Sequence, residues 1–265
     1  MKPPTIGQCR LCLAQNVELQ ESHIMPRFST VRLRGPGPQD HPIHFRGGRA
    51  YESQEQVKEF LLCRDCEQRF SKVETRVADL LPLRDGKLAP ILDRIGGLIE
   101  TNADGLRVVE LGRVSGDDLA HFAASVLWRG HVSQHFHVKL GDRYAEQFRV
   151  FLLGHAAFPE NAACLVYFYD LPFDDAVDVK ATTVGVETFK RKDGRGPHWH
   201  GFMVFGLRFV IQLGNQLNAS VVRLCVVRQQ RLLLARQEHL AKWLGRSILG
   251  AQPDQKLERK LDAQR

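Results

Sequence analysis

Long apolar runs are absent from this chain. The longest candidate, Gly201 to Gly214, is interrupted by Arg208 and is too short to span a bilayer, so no membrane partner is expected. The opening residues Met1-Lys2-Pro3-Pro4 carry no apolar core of the secretory kind, which makes a reducing cytoplasm the expected compartment. No internal repeat is evident, and cysteine is scarce, at six residues in 265. Four of the six fall into two pairs at two-residue spacing, which argues against a disulfide framework.

Those pairs, Cys9 with Cys12 and Cys63 with Cys66, are the most informative feature present. Four thiolates so arranged give a tetrahedral Zn2+ its full ligand set, closing the site and making it structural. A redox pair is the alternative. Cys164 and Cys225 stand alone in apolar runs and read as small buried hydrophobes. Between Cys12 and Cys63 lie 50 residues, more than a zinc ribbon uses, so the excursion must carry something of its own.

Apolar content of 43% with 25% charged residues is ordinary for a globular protein, and 265 residues suffice for two domains. The net charge of +7 favours a polyanionic partner, because each phosphate neutralised releases counterions. From Arg27 to Arg49 five arginines (Arg27, Arg32, Arg34, Arg46, Arg49) face one acid, Asp40, in a glycine- and proline-rich stretch that suits phosphate binding by a loop. From Arg223 onward ten Lys or Arg accompany four acids, which reads equally as a solvated basic face.

Periodicity predicts a knuckle at Cys9–Cys12, a strand from Val17 to Ile24 and a helix from Asp65 to Leu81 with Phe70, Val73 and Val77 on one face. Ser115-Gly-Asp-Asp118 is a capping-box variant opening a helix striped by Leu119, Phe122, Ala123, Val126 and Leu127, and a second helix follows from Asp142 to Leu153. Strands are expected at Ala163–Tyr169, Thr182–Phe189, Phe202–Leu213 and Ser220–Val227, then a basic helix from Arg228 to Leu244 and a frayed polar tail from Ala251. The division is a zinc module at 1–82, a connecting segment at 83–114, an α+β domain at 115–250 and a tail at 251–265.

Two stretches carry a resemblance. Glu21-Ser22-His23-Ile24-Met25-Pro26-Arg27 and Cys63-Arg-Asp-Cys66-Glu67-Gln-Arg-Phe70-Ser71-Lys-Val-Glu74 resemble the HNH (His-Me finger, ββα-metal) nucleases over about residues 9 to 80, as they stand in an uncharacterised bacterial group with a later segment like Ser125-Val-Leu-Trp128-Arg129. The resemblance implies a zinc-braced, treble-clef-like ββα module followed by a mixed helix and strand domain, hence fold class α+β. It implies a metal-dependent endonuclease acting on nucleic acid, with DNA the expected substrate, His23 as general base and Mg2+ or Mn2+ as catalytic ion. A role in bacterial defence is a family-level expectation. A histidine titrating near neutrality suits proton abstraction, and a hard divalent ion suits phosphoryl oxygens. The bland reading of His23 is a polar residue buttressing the hairpin.

The sequence departs from the family at the catalytic metal. Ser22 stands where the family has an acid, and the middle Asn and last metal-binding His or Asn have no counterpart. Glu21, on the same strand face as His23, and Glu67, after the second Cys pair, are the replacement candidates. Glu74 shares the face of Glu67 at seven-residue spacing, and His41 and His44 are further stand-ins. Ordinary helix-surface glutamates are the competing account. His131, His135 and His137 read as helix-end histidines, with a metal pair at His131 and His135 as the alternative; His198-Trp199-His200 beside the Lys190–Arg195 run is an exposed loop or a base-stacking turn. The rival function is a non-catalytic zinc module binding nucleic acid or protein. The second domain is expected to bind substrate, form a homodimer or engage a partner protein.

Overall fold

The computed structural model describes residues 3–34, 37, 40–46, 48–81, 90–95, 99–101, 107–136, 138–169, 183–189, 196–235 and 251–262. Its first part begins with β1 (Ile6–Gly7) and β2 (Val17–His23), joined across the Cys9–Cys12 turn. Pro26, whose ring pre-sets a helical φ, opens α1 (Arg27–Leu33), and β3 (Ile43–Arg46) and β4 (Arg49–Glu52) form a hairpin. The stretch from Arg27 to Arg49, expected as a loop, is therefore largely helix and hairpin. Phe28 and Leu33 pack α1 against the core, which a solvated loop could not do. Next, β5 (Lys58–Cys63) pairs antiparallel with β2 and runs directly into α2 (Arg64–Ala78). Asp65 and Glu67 lie in the first turn of α2, where the helix dipole favours acids, and Cys66, Phe70, Val73 and Val77 form its buried stripe.

The second part follows a short 3-10 turn at Pro90–Asp93. It comprises β6 (Ile99–Thr101), β7 (Arg107–Glu110), α3 (Gly116–Val132), α4 (Asp142–Leu152), β8 (Ala162–Tyr169), β9 (Thr183–Phe189), β10 (His198–Val204), β11 (Leu207–Leu213), α5 (Ala219–Arg223), α6 (Val226–Gln229) and β12 (Arg231–Ala235). Seven strands form one sheet in the order β6-β7-β12-β8-β11-β10-β9. The chain is thus a mixed α+β protein. Residues 83–114, read as a connector, supply β6 and β7 to this sheet.

Several boundaries differ from expectation, each for a physical reason. The run Phe202–Leu213 is two strands, because Phe205 and Gly206 both take positive φ and form the two-residue turn that suits a hairpin's twist. Ser220–Val227, read as a strand, is helical in α5 and α6, with Asn218 accepting from the backbone N–H of Ser220 at the start of α5. The basic helix from Arg228 gives way to β12, which inserts between β7 and β8; residues 236–244 lie outside the described residues. The tail is ordered into β13 (Gln252–Pro253) and α7 (Gln255–Asp262), seated on β4 by buried Leu257 and by Lys260 bonding to Asp40 and Glu52 at 3.0 and 2.6 Å.

Among the described residues no helix is long and apolar enough to cross a membrane. α3 is buried nearly all round, with Ser115 accepting from the N–H of Asp118 at its start. One hydrophobic cluster runs from Cys9 and Leu61 through Phe70 and Trp128 to Phe122 and Phe209, so both parts share a core. Phe122 has no exposed surface and touches the rings of Phe28, Phe202 and Phe209 at centroid distances of 6.2, 5.7 and 5.1 Å. Phe122→Ala is expected to cost about 3–5 kcal/mol. Chemical denaturation followed separately in each part should show both losing stability together, whereas a loss confined to one part would contradict the shared core.

Candidate functional site: a four-cysteine cluster beside Ser22, His23 and Glu67

The Cys9–Cys12 turn is held by the N–H of Leu13 donating to Cys9 O and that of Arg10 donating to Leu61 O, both at 2.9 Å. Arg149 of α4 braces it by donating to Leu11 O at 2.8 Å. The second pair sits at the corner where β5 becomes α2. All four Sγ atoms lie within 4.8 Å of one another, and Cys12 and Cys63 are 3.8 Å apart. A tetrahedron with Zn–S bonds of about 2.3 Å has edges of about 3.8 Å, whereas a disulfide would need about 2.05 Å. The four side chains therefore form a cluster that can hold a metal ion such as zinc. A hydrogen bond from Cys66 holds the Cys9 thiol down to about 4, and the same bond together with burial pushes Cys66 up. Metal binding requires these sulfurs as thiolates, and a divalent cation supplies the counter-charge that gathering them demands.

His23 ends β2, opposite Lys58 in β5. A bulge between Gln20 and Glu21 shifts the register, so that Leu19 and Ser22 are both buried and Glu21 and His23 flank Ser22 on the other face. Ser22 Oγ donates to Glu67 Oε1 on α2. Glu21, by contrast, takes a hydrogen bond from Lys58 at 3.1 Å and its side chain is 53% exposed. The structure thus brings Ser22, and not Glu21, to Glu67. Burial raises the Glu67 carboxyl, while the Ser22 bond and the charge of Arg129 pull it back. His23 is half-buried and is held below the ordinary histidine range first by burial, then by the charges of Lys58, Arg129 and Arg27.

Glu74 is committed elsewhere. Its carboxylate accepts from Arg129 of α3 at 2.5 Å, with side-chain exposures of 17% and 2%. Arg129 also donates from Nε to Ser125 O at 3.3 Å and lies over the Phe70 ring at 5.4 Å. Sequence reasoning assigned Arg129 no role, although it follows Val126 by three residues on the apolar stripe of α3, where a charge needs a buried partner.

The remaining candidates are dispersed. Arg27 is exposed at the start of α1, whereas Arg32 is spent on structure, donating to Ala78 O at 2.9 Å and stacking over Phe28. Arg34 is half-buried after α1, and positions 46 and 49 are backbone register partners at the β3–β4 turn. His41 bonds Gln54 and His44 stacks on Tyr51. His131 donates to Val138 O at 3.2 Å, and α3 ends at Val132, so His131 and His135 do not share a helix face; His137 and Lys190–Arg195 lie outside the described residues. His198 donates to Leu140 O, His200 is buried beside Thr188, and Trp199 is exposed. Cys164 and Cys225 are free and buried. Among the described residues the four cysteines are the one group of three or more Cys, His, Asp or Glu able to hold a metal.

Compared with protein-family models, with curated proteins and with solved structures, the chain matches none.

Two outcomes follow from the geometry. Elemental analysis should find one zinc per chain, lost in Cys66→Ala with a lowered melting temperature; native metal content in that variant would rule out the cluster as the binding site. For His23, the folded chain binds a proton less readily than the unfolded one, so the stability held by neutral His23 is complete above about pH 6.5 and is lost as pH falls toward the depressed folded value. An NMR titration should place the His23 midpoint below 6.5. A midpoint at or above that value would contradict the electrostatics described.

Proposed function

We propose that the chain is a metal-dependent nucleic-acid phosphodiesterase of the HNH type, acting on DNA, in which a zinc ion at Cys9, Cys12, Cys63 and Cys66 braces a treble-clef-like ββα unit. The observation that carries this reading is the half-buried His23 at the end of β2, next in sequence to Ser22, whose hydroxyl donates to the buried Glu67 carboxylate on the helix that follows β5. Burial and neighbouring cations keep its imidazole neutral and able to take a proton from water. As the water oxygen attacks phosphorus, the bond to the leaving sugar oxygen breaks. Arg27 and Lys58 favour approach of the phosphodiester.

Ser22 and Glu67 are hard oxygen donors, suited to Mg2+ or Mn2+, which commonly take one or two carboxylates and complete their shells with water and substrate phosphate. Bound there, such an ion would stabilise negative charge on the phosphoryl and leaving oxygens. Glu21 is reassigned as a surface partner of Lys58. Arg27 remains in the nucleic-acid interface, with Arg49 on the exposed turn of the hairpin, whereas Arg32 does not.

A specific observation favours a second reading. Arg129 brings a buried positive charge to the side of α2 that carries Glu67 and Glu74, and such a charge opposes a divalent cation. On this reading the module binds nucleic acid without cleaving it. A supercoiled-plasmid assay with Mg2+ or Mn2+ decides between them. The nuclease reading expects nicking that falls by about 10²-fold or more in His23→Ala, the span usual for loss of a general base, and persists in Glu21→Gln. Native activity in His23→Ala would remove His23 as base. Salt-sensitive DNA binding without cleavage would select the second reading.

A further inference from the structure

We propose that Arg129 is a positioning residue: through its buried pair with Glu74, the second domain fixes α2, and with it Glu67, against Ser22. The inference rests on the nuclease reading above. Three contacts carried by α3 or its end reach the first part of the chain. Asp118 takes a bidentate pair from Arg76 at 2.7 and 2.6 Å, Arg129 bonds Glu74 at 2.5 Å, and Ser133 donates to Glu59 at 2.6 Å. The last of these engages the register partner of Ser22, and Glu59 also accepts from the N–H of Gln134 at 2.9 Å. α3 is therefore fastened to both elements that frame the site, α2 at Glu74 and β5 at Glu59.

The Arg129–Glu74 pair differs from the other two in being out of water. Removing a guanidinium and a carboxylate from solvent costs free energy that their attraction barely recovers, and a well-packed apolar pair of similar volume is often as stable or more so. Stability alone therefore gives little reason for an ion pair here. Its geometry offers a reason. The planar guanidinium is anchored by Nε to Ser125 O, lies over Phe70 and presents an Nη to Glu74, which sets the rotation of α2 about its axis. Glu67 shares that axis two turns earlier, so a rotation of α2 would move it away from Ser22.

The test replaces the pair by apolar residues, Glu74→Leu with Arg129→Met, in the full zinc-loaded chain. If Arg129 positions the site, the melting temperature stays at or above the native value and DNA affinity by fluorescence anisotropy stays within about twofold. Meanwhile kcat falls by about 10²-fold, the loss expected of an ångström-scale misplacement. Mn2+ affinity, read by electron paramagnetic resonance without substrate, should weaken by about tenfold. Arg129→Lys keeps the charge without the planar fork and should recover part of kcat; should the apolar double variant fail to fold, a kcat at the native level in folded Arg129→Lys overturns the proposal. Native kcat or native Mn2+ affinity in the double variant also overturns it and leaves the nuclease reading standing. Absence of cleavage by the native chain overturns both.

Discussion

The convergence of four thiols at one corner is the constraint on which the rest of the site depends. The Cys9–Cys12 turn and the β5–α2 corner are separated by 50 residues of chain, and the thiols meet where the Arg10 N–H also docks the turn on Leu61 O of β5. Held together, they fix the direction in which α2 leaves the sheet. That direction decides which residue of β2 looks at which residue of the helix. Ser22 meets Glu67, and His23 is left at the strand's end with cations about it. The sulfur cluster and the Ser22–Glu67 contact are thus separate features sharing one scaffold.

The second constraint is α3. A helix buried on nearly every side must be enclosed by several partners, and α3 has the sheet on one side with α2 and α4 on others. Gly116 shows how close this enclosure is: a Cβ there would come within 2.5 Å of the Val226 carbonyl. Because α3 belongs to the large sheet's layer and also carries Asp118 and Arg129, the two parts communicate through packed side chains and fixed charges. The insertion is likewise held from outside, since α7 returns from the far end of the chain to strap the β3–β4 hairpin.

The local signals were legible in the sequence where the chemistry is local. The cysteine spacing, the strand into His23, the stripe of α2 and the Ser115 cap follow from nearest-neighbour rules and stand as read. What escaped depended on distant partners. The bulge at Gln20–Glu21 exchanges the expected Glu21–Glu67 meeting for Ser22–Glu67, and no periodicity announces a bulge. Residues 231–235 read as part of a basic helix because their leucines suit either period, and only the gap between β7 and β8 makes them a strand. In sequence the polar tail offers an apolar face of two leucines, Leu257 and Leu261, too short to announce itself, yet a backbone edge at Gly48 and Ala50 and the acids Asp40 and Glu52 give it a place to dock. Arg129 is intermediate: its position on an apolar stripe was visible, but its partner was 55 residues away.

On the proposed reading one scaffold keeps two cation sites, a sulfur site for structure and an oxygen site for reaction. The most direct measurement is anomalous diffraction from crystals of zinc-loaded protein soaked in Mn2+, with data collected at both metal edges. A zinc peak among the four cysteine sulfurs and a distinct manganese peak in contact with Glu67 and Ser22 are expected. A carboxylate of Glu67 turned to Arg129, with no manganese beside it, would rule out the oxygen site and leave a zinc-braced binding module.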